Sequence, residues 1–442
     1  MVRISAHPVC GTNLALIGPI HARIASKRGT TDGACIIPPV MGRRATIVLV
    51  CSTLVACTSS KPPVLPTPQP TTPATPSPSA TPSPSPSQSP SPSTFDPLDV
   101  VALTKVPAAE KGLPSLHPHL VTSGNYPAGL SVAPDGRIFF TELYGGHINV
   151  VDARARTGMW FDVNAYFHIQ WKQFFHGGLT AITVDPDFAT NHYVFAVTQV
   201  PSAKTGFAEK SLILRFTERD GRGTAPKVLL TTPAEQFDNI YSVVFAPDGT
   251  MFIPSGHETA LGVADVPGDL VGEILHITRD GEPAPGNPFE VKAPYTWAYG
   301  FKNVFDAAFD PDTGYLVGGD NNTVGHDEID LIAPGRFYGY SKYEGVATAP
   351  GMTQPLLDFG AGTHWAPVGM LRYDFAKYPK LRGLFLVCFN HQPGVYAMRI
   401  DAGPPARLLS FTKIAPQCSI DLAASEDGTI YIADPSGIYE LS

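Results

Sequence analysis

The chain has 442 residues, enough for several average domains or one large β architecture. It is 43% hydrophobic but only 16% charged, with 41 Gly and 45 Pro, a turn-rich balance that disfavours a helical protein. Residues 1–56 hold six of the 31 bases and one of the 39 acids, so the remainder carries 25 against 38, a net of −13 that repels phosphate backbones and argues against nucleic acid as a partner.

Residues 1–40 carry scattered Cys, Pro and charges and no apolar core, so translation is expected to begin at Met41, with the first forty residues an upstream segment foreign to the protein. Arg43 and Arg44 then precede a short apolar run ending in Leu54-Val55-Ala56-Cys57. That is the layout of a signal peptide. Its ending is similar to the bacterial lipobox, in which the cysteine becomes the new N-terminus and is acylated; a buried strand with a chance cysteine is the alternative. The expectation is a lipoprotein signal over 41–56, lipidation at Cys57, and export to the outer face of the cell membrane. Residues 61–94 hold 13 Pro in 34 positions, interleaved with Ser and Thr. Such a stretch cannot bury apolar surface and prefers extended conformations, so 57–94 reads as a tether. No apolar run reaches the ~18–20 residues of a membrane-spanning helix.

The remaining domain, 95–442, contains Cys388 and Cys418. An exported protein permits a disulfide between them, with two buried thiols as the alternative. A turn-plus-strand unit recurs along this domain at Ala133–Phe140, Asp185–Ala196, Ala246–Ile253, Asp310–Leu316 and Glu426–Ile432. The steps between Asp135, Asp187, Asp248 and Asp312 are 52, 61 and 64 residues, and the 115 residues from Asp312 to Asp427 leave room for two more, with a weak copy at Tyr373-Asp374. Asp and Gly serve a tight turn, through side-chain-to-backbone bonding and a positive φ. The period predicts an all-β, six-bladed propeller rather than the unrelated hairpins of a sandwich.

Several segments, taken in order, carry a resemblance. They are Tyr126–Glu142, Gly178–Asn191, Gly272–Gly281 with Gly286–Phe289, Tyr299–Asn303, Asp327–Gly335 and Tyr338–Tyr340. Together they resemble the glucose/sorbosone dehydrogenase family, which includes soluble pyrroloquinoline quinone (PQQ) glucose dehydrogenases and aldose sugar dehydrogenases. The resemblance implies a six-bladed propeller with PQQ and calcium on one face. It also implies a base that takes the proton of a sugar hydroxyl as hydride passes to the quinone. Counting back from Pro247-Asp248, the family's base histidine falls on Asp238, a carboxylate that can do the same work. Lys302 and Asn303 match the family's Arg-Asn cofactor pair, keeping the charge without the planar two-pronged donor. The family's lysine position falls on Gln392 and its two further arginines on Cys418 and Ile420, so one cation would face three carboxylates. His176 matches a position on the cofactor face. Asn322 and Thr323 match the pair whose backbone carbonyls hold calcium, and an ordinary polar turn is the other reading.

His257, His326, His364 and His391 fall in loops of the same face, together with Asp238 and Asp320. A transition-metal set, an anion-binding set and unrelated histidines of a polar cleft all stay open. Trp365 and Phe389 suit either stacking on a sugar ring or packing between blades. The function implied is PQQ-dependent oxidation of a sugar or polyol by a membrane-tethered protein. The alternatives are a glycan- or partner-binding propeller without PQQ, and a metal-dependent hydrolase or lactonase.

Overall fold

The computed structural model describes residues 98–442 apart from 172–176, 235–238, 258–263 and 265. The signal, Cys57 and the tether therefore lie outside the described residues, as do His176 and Asp238. The described part is built from six antiparallel sheets, five of four strands and one of five. Its helices are two short turns, Val163–Phe167 and Phe188–Asn191, and one 3-10 turn, Pro379–Leu381.

Each sheet is a blade. The innermost strands, in chain order, are Pro127–Val132, Leu179–Val184, Val244–Phe245, Val304–Asp310, Pro367–Tyr373 and Asp421–Ala424. Numbering the blades 1 to 6 from these strands, blade 6 is completed from the beginning of the domain. Pro118–Ser123 pairs antiparallel with Gly437–Leu441, from Pro118 opposite Leu441 to Ser123 opposite Gly437. Its ladder hydrogen bonds cover the edge a last blade would otherwise expose, and they close the ring.

The recurrent Asp-Gly units are the turns from the first to the second strand of a blade. In blades 1, 3 and 6 the turn is the same. Gly136 N–H bonds Ala133 O at 2.8 Å, Gly249 N–H bonds Ala246 O at 2.9 Å, and Gly428 N–H bonds Ser425 O at 2.8 Å. The aspartate of each accepts the amide of the residue two positions on, from Arg137 at 3.1 Å, Thr250 at 2.9 Å and Thr429 at 3.1 Å. The three glycines sit at φ 82°, 82° and 86°, which a side chain would strain.

All these turns lie at one end of the ring, here called the turn face, and arginines staple that end together. Arg279 of blade 3 grips Asp185 of blade 2 through Nε and Nη2, at 2.8 and 2.9 Å, and reaches Asp187 at 2.7 Å. Arg372 of blade 5 holds Asp310 and, at 2.8 Å, Asp312 of blade 4. Arg137 of blade 1 takes Glu218 of blade 2 in a two-pronged pair at 2.8 and 2.9 Å.

Between blades the alternating apolar residues interdigitate. Phe139, Trp160, Val194 and Phe216 close the seam of blades 1 and 2, and Val317, Ile329, Phe385 and Phe389 that of blades 4 and 5. Each fully buried aromatic contributes about 2–3 kcal/mol. Polar groups bind the innermost strands across the seams. Ser131 Oγ accepts Val184 N–H at 3.0 Å and Thr183 donates to Val243 O at 2.8 Å. Asp306 accepts Met370 N–H at 2.7 Å and Asp421 accepts Leu130 N–H at 2.8 Å. Burial pushes the Asp306 carboxyl up to about 7, and burial together with Asp306 raises Asp421 well above the carboxylate range. These two acids line a central cavity of about 480 Å3 formed by the turn-face halves of the innermost strands, with Ser242 and Met370.

Candidate functional site

Opposite the turn face, the second-to-third-strand turns and the blade-to-blade linkers meet. The linker from blade 3 to blade 4 carries Lys302 and Asn303, both buried. Asp320 closes the second strand of blade 4 and fixes that linker, accepting Lys302 N–H at 3.0 Å and Asn303 N–H at 2.6 Å. Lys302 O in turn accepts His257 N–H at 2.6 Å, so buried His257 is tied to the same linker. Burial lifts the Asp320 carboxyl to about 6, against the opposing pull of its two amide donors and of Lys302.

The next two residues continue this centre. Asn321 spends its amide donors on Asn303 O and Pro367 O, at 3.3 and 2.9 Å, and Asn322 donates to His326 O at 2.9 Å. Both amide oxygens are buried without a hydrogen-bond partner, although the residues are only 8% and 6% exposed. Asn322 N–H bonds Asp327 at 3.0 Å, and the other oxygen of Asp327 accepts Trp365 N–H and Ala366 N–H at 2.7 and 2.9 Å. Asp327 thereby holds the calcium-loop candidate to the linker between blades 4 and 5. Thr323, its second member, is exposed.

Blade 4 also carries a row of acids that only the strand register reveals. Asp320 stands opposite Glu328, and Glu328 opposite Asp358. Asp330, two residues beyond Glu328, is fully buried with neither carboxylate oxygen partnered. Burial raises Glu328 and Asp330 well above the carboxylate range, with repulsion from Asp330 and Asp320 adding to it at Glu328 and repulsion from Asp320 at Asp330. Asp358 accepts from His326 Nδ1 at 2.9 Å and from Gly360 N–H at 2.7 Å.

Cys388, at the end of the second strand of blade 5, is disulfide-bonded to Cys418, in the linker to blade 6. Ile420 packs against the core between blades 6 and 1. Gln392 is exposed on the neighbouring turn, which Lys413 reaches by donating to Pro393 O at 2.7 Å. Trp365 stacks on Phe359 with centroids 4.6 Å apart and meets the edges of Phe389 and Tyr396, while Phe389 is fully buried. Both aromatics thus pack between blades. His364 and His391 are exposed neighbours, with ring centroids 6.1 Å apart. Among the described residues, no group of three or more His, Cys, Asp or Glu is arranged to hold a metal ion.

The structure brings Lys302, Asn303 and Asp320 into one hydrogen-bonded centre, with Asn321 bonded to Asn303 and Asn322, the next residue, bonded to His326 and Asp327. It leaves Gln392, Cys418 and His364 on the blade 5 side. The sequence reading missed Asp327, Glu328, Asp330 and Asp358. Asp327–Gly335 was read only as a motif of the resemblance, and an acid at an inward position of a strand is recognised only once its cross-strand partner is known.

The sequence profile of the Glucose / Sorbosone dehydrogenase family matches residues 124–437, and the chain belongs to that family. Its architecture is that of a sugar dehydrogenase-like propeller. An uncharacterized protein of Synechocystis sp. is 26% identical over 345 residues, covering 70% of this chain and 81% of that protein. The PQQ-bound form of an aldose sugar dehydrogenase from Streptomyces coelicolor has the same fold, with a TM-score of 0.64 at 23% identity over 76% of this chain and 99% of that one. So does the apo-form of the soluble aldose sugar dehydrogenase from Escherichia coli, with a TM-score of 0.60 at 19% identity over 74% and 99%.

Proposed function

We propose that the protein oxidises a sugar or polyol hydroxyl on the face opposite the Asp-Gly turns, with PQQ and calcium as its redox centre, at the outer surface of the cell membrane. The observation that carries this reading is the buried centre of Lys302, Asn303, Asn321 and Asn322. Two buried amide oxygens without partners suit a hard cation, which takes oxygen ligands from amides and carbonyls. A divalent cation would offset two of the three carboxylate charges of PQQ, and the Lys302 ammonium, which also acts on Asp320, adds to that field. The fit is therefore good on the blade 4 side, where Lys302 and Asn303 would hold the cofactor and Asn321 and Asn322 the calcium. On the blade 5 side Gln392, Cys418 and Ile420 bring no cation, so binding there is weaker than with the family's lysine and arginines.

When bound, PQQ supplies the acceptor for the hydride leaving the sugar carbon. Asp238 takes the hydroxyl proton, since hydride departs readily only as the alkoxide forms. Asp320 fixes the backbone of Lys302 and Asn303, and so positions both for the cofactor. The shortage of cations on the blade 5 side favours a second reading, a glycan-binding propeller without redox chemistry.

The test is dye reduction by the full chain loaded with PQQ and calcium, across a panel of aldoses and polyols. Turnover that falls at least about 100-fold in Asp238→Asn supports the proposal. Sugar binding without dye reduction supports the second reading.

A further inference from the structure

We propose that His364 and His391 together bind one divalent transition-metal ion, of the Cu(II) or Zn(II) class, at the rim of the site face. The proposal rests on the geometry of these loops and is independent of the oxidation chemistry above. The two residues are 27 positions apart in sequence and belong to different loops. Backbone bonds place them side by side, His391 N–H to Trp365 O at 3.2 Å and Asn390 N–H to Ala366 O at 2.9 Å. The Trp365 segment is itself anchored, because Asp327 accepts both the Trp365 and the Ala366 amides. The separation of the two histidine backbones is therefore set by the fold.

Their rings stand nearly perpendicular, at 79°, with centroids 6.1 Å apart, and both are exposed. A metal bound through an imidazole nitrogen at 2.0–2.1 Å lies ~3 Å from the ring centroid, so two rings on one ion have centroids ~5–6 Å apart. The observed spacing lies just beyond that range, and a small rotation of two exposed side chains closes it. Ligand chemistry sets the class. Two imidazoles, with no third His, Cys, Asp or Glu grouped with them among the described residues, suit a borderline ion such as Cu(II) or Zn(II) rather than calcium. Two protein ligands leave the remaining coordination positions to water, and the ion stays accessible at the mouth of the site.

The experiment is a calorimetric titration of the full chain with Cu2+ alone and with Zn2+ alone, for wild type, His364→Ala, His391→Ala and the double variant. The wild type should show one equivalent of tighter binding above any background from its other histidines. Each single variant should weaken that equivalent at least tenfold, and the double variant should abolish it. Both residues are exposed, so the melting temperature of the metal-free variants should match wild type. The electron paramagnetic resonance spectrum of the first Cu2+ equivalent should show two nitrogen ligands in the wild type and one in either single variant. Zn2+ should also protect both rings from diethylpyrocarbonate. Tight binding that survives either single variant, a one-nitrogen wild-type spectrum, or no protection would each overturn the proposal.

Discussion

The two faces of the propeller are held together by different means. On the turn face, Arg137, Arg279 and Arg372 bind carboxylates of neighbouring blades, and Asp185 inside this network is fully buried. On the opposite face the amide oxygens of Asn321 and Asn322 and both carboxylate oxygens of Asp330 are buried without partners, and a disulfide ties blade 5 to the linker of blade 6. The turn face spends its polar groups on stability. The other face keeps polar groups in reserve, the condition under which a ligand gains more than solvent would.

The disulfide offers the sharpest way to break this contrast. Removing Cys388–Cys418 frees a loop whose ends are 30 residues apart, and the chain-entropy cost predicts a loss of about 4 kcal/mol. The paired Cys388→Ser, Cys418→Ser variant should show this in urea unfolding. Next is the turn face, where Arg279→Ala strands the buried Asp185 carboxylate and should cost about 3 kcal/mol in the same assay. If both variants lose less than about 1 kcal/mol, neither face is held as described.

A third prediction concerns pH. Glu273, at the site end of blade 3, accepts Thr296 Oγ1–H at 2.7 Å and Gly268 N–H at 2.5 Å, yet burial pushes its carboxyl from 4.5 up to about 7. A raised value in the folded state means the folded protein holds the proton more tightly than the unfolded chain. Stability should therefore fall as pH rises from about 4.5 to about 7, by no more than about 3 kcal/mol, and this slope should flatten in Glu273→Gln. Denaturant midpoints at pH 4.5, 6 and 7.5 measure it, and an unchanged slope in the variant would remove Glu273 as its source. The smallest effect belongs to the blade 5 side. On the proposed cofactor pose, Gln392→Lys adds a cation where the resemblance sets the family's lysine and should tighten PQQ binding about tenfold, or ~1.4 kcal/mol.

Much of the fold was legible because propeller repeats are written in local chemistry. Ala133-Pro134-Asp135-Gly136 and its copies encode a turn that needs only its own residues, so the blade count followed from spacing. The disulfide appeared in sequence as one of two readings. Lys302, Asn303, Asn322 and Asp320 could be named, but their grouping depends on backbone bonds between linkers. Asp327 was invisible as a clamp, because its partners Trp365 and Ala366 lie 38 and 39 residues away. The row of Asp320, Glu328 and Asp358 needs strand register, and a one-residue slip would turn each acid to the other side. For Trp365 the sequence offered sugar stacking and blade packing alike, and its stacking on Phe359 decides for the packing.

The most direct test of the account is a calorimetric titration of the full chain with PQQ, with and without calcium. The account predicts saturable binding in the micromolar range that depends on calcium and weakens in Lys302→Ala and Asn322→Ala. No heat at ~100 µM PQQ with calcium present would contradict it, and would leave the face as a sugar-recognition surface without a quinone.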